Sequence, residues 1–152
     1  YNLTGTTFVF GSLDLERDRL QELDLRSVTG AGFGSHIIRT SATTFDVFGG
    51  LTYNREQFFD ESREAVELLL GEESIHKISD ITSFKQRFAL YPNLRDSGEF
   101  RIALDASMTV ALTSAIGLQL TLSNRYLSNP QPGIKKNDLL FLTGMSVKFG
   151  PR

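Results

Sequence analysis

The sequence predicts an all-β fold: an antiparallel, up-and-down β-barrel of about eight strands, of the outer-membrane type. Three observations predict it. Apolar residues recur at every second position through most of the chain. Several alternating runs are much longer than the roughly 5–6 residues of a typical globular strand. The connections between the runs alternate between short and long.

Taken in order, the strands are expected at 3–14, 21–38, 43–57, 63–77, 82–91, 98–112, 115–128 and 137–149. The clearest is FRIALDASMTVAL, with Phe100, Ile102, Leu104, Ala106, Met108, Val110 and Leu112 on one face and Arg101, Ala103, Asp105, Ser107, Thr109 and Ala111 on the other. Next comes IGLQLTLSNRY, with Ile116, Leu118, Leu120, Leu122 and Tyr126 opposed to Gly117, Gln119, Thr121, Ser123 and Arg125. Around 61–70, ESREAVELLL has the composition of a helix as an isolated peptide; its neighbours argue for sheet. Short turns are expected near Thr40, at 79–81 and at 113–114. Longer, charged loops are expected at 15–22, 59–63, 92–98 and 128–137. In a meander, alternate connections share one end. The short turns and both termini therefore fall at one end and the long loops at the other, as in outer-membrane barrels.

Composition narrows the function. Charged residues make up 22 % of the chain at a formal net charge of −2, so no nucleic-acid partner is expected. With no Cys, neither a disulfide frame nor a thiolate metal site can form. No apolar run approaches the roughly 18–20 residues of a spanning helix. The first residues lack the basic start and apolar core of a signal peptide, and the chain starts at Tyr1 rather than Met. It is expected to be a mature or trimmed chain, one barrel domain over 1–152, that has lost an N-terminal segment.

Alternation alone does not say which face is inside. The polar face carries Asp24, Arg26, Glu56, Glu67, Glu73, Lys85, Arg87, Arg101, Asp105, Arg125 and Lys148, mixed in sign and set on neighbouring strands. Among them lie small residues: Gly30, Gly32, Gly34, Gly50, Gly71, Ala103, Gly117 and Gly144. Long charged side chains beside glycines suit a packed lumen, so these residues are expected to form an interior charge network. Leu104, Met108, Leu118, Leu120, Leu122, Phe141, Met145, Val147 and Phe149 are then lipid-facing. The last strand ends on Phe149 with apolar residues at alternate positions before it, like the terminal signal read by the outer-membrane assembly machinery.

The two histidines, His36 and His76, could meet Glu73 or Asp80, but no ligand spacing supports a metal site. Ser35–His36 suggests a hydrolase pair, yet adjacent strand residues point to opposite faces. GAGFG at 30–34 lacks the context of a dinucleotide site. No catalytic residue and no cofactor is expected. The loop residues Pro130, Pro132, Gly133, Lys135 and Lys136 form a stiff, cationic segment suited to lipopolysaccharide phosphates.

Several stretches are similar to one family: GAGFGSHII at 30–38, DSGEFRIAL at 96–104 and NRYLSNPQPGIKKNDLLFLTGMSVKF at 124–149. The run from Tyr126 through Asn129–Pro130, Pro132–Gly133, Lys135–Asp138 and Thr143–Gly144 to Phe149 resembles the domain-of-unknown-function 481 family, whose members are labelled YdiY-like or salt-induced outer-membrane proteins. LERDRLQELDLR at 15–26 and YPNLRDSG at 91–98 fit it as well. The resemblance implies an outer-membrane barrel without established activity, and members longer at the N-terminus with more strands. The expected role is structural or linked to envelope stress, in the bacterial outer membrane, with membrane lipid, lipopolysaccharide and the assembly machinery as partners. Homo-oligomers are a further expectation. Competing readings are a small porin-like channel, a soluble barrel with Leu104, Leu118 and Leu120 lining an apolar cavity, and a subunit of a larger envelope or extracellular assembly.

Overall fold

Eight strands follow one another along the chain: β1 (Thr7–Asp18), β2 (Leu23–Arg39), β3 (Thr43–Phe58), β4 (Ser62–Lys77), β5 (Thr82–Pro92), β6 (Phe100–Ala111), β7 (Ile116–Leu127) and β8 (Asn137–Val147). The computed structural model describes residues 5–18, 23–58, 62–113, 115–130, 133 and 135–147, with backbone alone at 14, 16–18, 23–26, 56–58 and 62–63. The strands form one sheet in the order β1 to β8, and every ladder is antiparallel.

Where helix was the alternative, residues 62–70 are strand. β4 runs in unbroken register with β3, from Ser62 against Gln57 to His76 against Thr43. The β3 ladder satisfies one row of backbone groups through the whole stretch, and the β5 ladder adds the other from Leu70 onward, which overrides the local helical preference. β1 lies further along the chain than the expected 3–14, because β2 keeps offering backbone partners as far as Glu16 against Arg26. This corrects the loop pattern. Connections 19–22 and 59–61 are as brief as 40–42, 78–81 and 112–115 at the other end, and the long loops are 93–99 and 128–136. The charged stretches read as loops at 15–18 and 62–63 belong to strands.

Hydroxyl groups hold the short turns. The Thr40 hydroxyl accepts from the Thr43 N–H at 2.9 Å. Ser79 accepts from Thr82 N–H at 3.1 Å, and Thr113 from Ile116 N–H at 3.0 Å. Each offers the chain a local partner where the ladder reverses. In the 93–99 loop the Asn93 carbonyl oxygen accepts from Arg95 N–H at 2.9 Å and Asp96 N–H at 3.2 Å, and Gly98 takes φ 100°.

The sheet curls. Gly32 opposes Gly50 across β2 and β3, and a Cβ on Gly32 would come within 2.8 Å of the Gly50 Cα. At Gly34 the equivalent space is filled by the Phe8 ring. Small residues thus let the backbones approach and make room for aromatic rings. Curvature brings Ser12 and Leu15 of β1 and Arg125 and Asp138 of β7 and β8 around one cavity. Among the described residues no ladder joins β1 to β8, so the eight-stranded sheet is barrel-like but not closed. The apolar core is small: Phe48, Leu69 and Ala89 on the concave face, with Phe8, Phe10, Tyr91 and Ala103 packed against them.

Candidate functional site on the concave face

Ladder partners share a face, so the register sorts every strand residue. The concave face holds Glu67, Glu73, Lys85, Arg87, Arg101, Asp105 and Arg125, all anticipated as interior charges. For Asp24, Arg26 and Glu56 the side chains lie outside the described residues, as does all of Lys148. The glycines named with them face the same way: Gly30 and Gly32 stand opposite Thr52 and Gly50, and Gly71 opposite Phe48.

Three groups of ions form along this face. Deepest is Glu67, 3 % exposed, which accepts from Arg101 Nε at 2.8 Å and Nη2 at 2.5 Å and from the Thr52 hydroxyl at 3.3 Å. The Arg101 guanidinium also stands 4.4 Å from the Tyr91 ring centre. Glu73 bridges Lys85 at 3.1 Å and Arg87 at 3.5 Å, and Arg87 lies over Phe48 at 4.8 Å. Asp105 takes a forked contact from Arg125 Nη2, at 2.9 and 3.0 Å, and accepts from the Ser123 hydroxyl. In each group the carboxylate meets a cation from another strand, which offsets its loss of water.

The histidines separate. His36 Nδ1 sits 2.7 Å from Asp46 Oδ1 with its ring 5.0 Å from Phe8, and His76 Nδ1 is 3.2 Å from the Thr43 hydroxyl. His36 and Glu73 line one cavity with Asp46, but no group of three or more potential metal ligands converges among the described residues. Ser35 donates to the Thr6 carbonyl at 3.1 Å, so it is not a partner of His36.

Leu104, Met108, Leu118, Leu120, Leu122, Phe141, Met145 and Val147 share the convex face; Phe149 lies outside the described residues. Phe33, Leu51 and Leu13 extend that apolar face onto β1–β3. Leu104, Leu118 and Leu120 do not line a cavity as the soluble-barrel reading expected: the register turns them away from the concavity. Two features were missed. Phe8, Phe10, Phe48 and Leu69 put an apolar patch among the interior charges, and β8 is apolar on both faces through Leu140 and Leu142. The unbroken run Leu139–Leu142 was the available signal for the second. Lys135 and Lys136 line the cavity of about 570 Å3 at the long-loop end, whereas Pro132 lies outside the described residues.

The fold and site define an antiparallel meander, apolar on its convex side and ion-paired on its concave side. The chain belongs to the family described as "Protein of unknown function, DUF481", whose model matches residues 1–149. No curated protein and no solved structure matches it.

Proposed function

We propose that this chain is a bacterial outer-membrane β-barrel protein with a structural or envelope-stress role and no catalytic activity. One observation carries the reading: the sheet is inverted relative to a soluble barrel. Phe33, Phe141 and Met145 are 66 %, 62 % and 71 % exposed on the convex side. The concave side carries the ion pairs and glycines around a small apolar cluster. Fully burying one large apolar side chain is worth about 1.5–3 kcal/mol, and in water this face forgoes that gain many times over. Lipid acyl chains supply the missing partner. The strands have 11 to 17 residues, against the roughly 9–11 a tilted spanning strand needs. In this reading lipid covers the convex face, the assembly machinery inserts the chain, and the ion pairs and Phe48 cluster obstruct solute flow.

Fractionation tests it. The native protein should stay with outer membranes through carbonate and high salt, require detergent for extraction, and migrate faster on gels before heating than after. Release by carbonate, with no heat-dependent shift, would reject the proposal. A large steady conductance in planar bilayers would replace the obstructed lumen with a channel.

A further inference from the structure

We infer that the cavity at the long-loop end is a binding site for a phosphate group carried on a small polar molecule or a lipid headgroup, with Lys135 and Lys136 as its direct contacts. Five cations line it, Arg87, Arg101, Arg125, Lys135 and Lys136, in a chain whose formal net charge is −2. The arginines are already engaged: Glu73 takes Arg87, Glu67 takes Arg101, and Asp105 takes Arg125. That leaves the two lysines and Asp138, the remaining carboxylate of the wall. Neither lysine has an ion-pair partner among the described residues.

The chemistry of the vacant charge favours phosphate. Guanidinium forks, which match carboxylates two-pronged, are occupied by carboxylates of the chain itself. Ammonium groups act as mobile point charges with several donors, and two of them against Asp138 leave one surplus positive charge, which suits a tetrahedral phosphate. A volume of about 570 Å3 falls within the roughly 300–1,000 Å3 of small-molecule sites. Tyr91 and Leu127 add apolar wall for the body of the ligand. The cavity is concave whatever medium bathes the other face, so the inference does not rest on the membrane proposal.

The test uses the full chain in detergent micelles, or in buffer if it proves soluble, and reads acetylation of each lysine by mass spectrometry. Glucose 6-phosphate should slow acetylation of Lys135 and Lys136 at least fivefold and saturably, while glucose should not. Lys77, exposed at the opposite end, should react at an unchanged rate. A second arm places the protein in phosphatidylcholine nanodiscs with or without phosphatidic acid. Protection in that arm alone supports the site and identifies its phosphate as a lipid headgroup. The double variant Lys135→Gln/Lys136→Gln, checked for an unchanged circular dichroism spectrum, should weaken glucose 6-phosphate binding by calorimetry, or phosphatidic acid association in the second arm, at least tenfold. No protection in either arm, equal protection by glucose, or undiminished binding by the double variant overturns the inference.

Discussion

Glu67 on β4 grips Arg101 on β6 across the intervening strand β5, through contacts of 2.8 and 2.5 Å. The pair joins strands that share no ladder, so it ties β4 to β6 over the top of β5. It fixes the curvature of the sheet there as well, with Tyr91 of β5 beneath the guanidinium.

Glu67→Gln removes the charge and leaves Arg101, whose side chain is 20 % exposed, with a weaker partner. The expected loss is about 2–4 kcal/mol, below the 3–5 of a fully buried pair. The joint change Glu67→Leu/Arg101→Met should cost less than Glu67→Gln alone. Urea unfolding of the refolded protein checks both, and a double variant less stable than Glu67→Gln would contradict this account of the pair.

Gly32 and Gly144 look alike in sequence, and both face the concavity. Gly32→Ala drives a methyl into the Gly50 backbone and should destabilise by about 1–3 kcal/mol. Gly144 has nothing within 4 Å of the added methyl, so Gly144→Ala should lie between neutral and about 1 kcal/mol stabilising. Thermal unfolding of the two single variants separates the positions.

Phe8 and Gly34 form a matched pair, the ring occupying the space a side chain would take. Gly34→Val in the native background should overpack by about 1–3 kcal/mol. In a Phe8→Ala background the same change should cost little, giving a coupling of at least 1 kcal/mol in a double-mutant cycle. Additive effects would show that the ring does not fill this space.

Leu122 and Thr121 are neighbours on opposite faces of β7. Under the membrane proposal Leu122→Arg puts a charge into lipid and should cost about 2–4 kcal/mol, while Thr121→Arg enters the polar interior and should cost less. Folding yield into liposomes measures the contrast. Equal tolerance at both positions argues for water on both sides.

The sequence by itself determined the class: eight strands, their order and their two faces. The period of two is a local consequence of extended backbone geometry, legible in FRIALDASMTVAL without any partner. Turn positions were local too, set by hydroxyls at Thr40, Ser79 and Thr113. Only the tertiary structure decided what depends on curvature and pairing. It turned 62–70 into strand because β3 offered a full ladder, and β2 moved the end of β1 past Leu15 in the same way. It placed Phe8 over Gly34, carried Arg101 past β5 to Glu67, and set Lys135 and Lys136 on the cavity wall. Alternation assigns a residue to a face, but which residues on that face meet is set by how far the sheet bends.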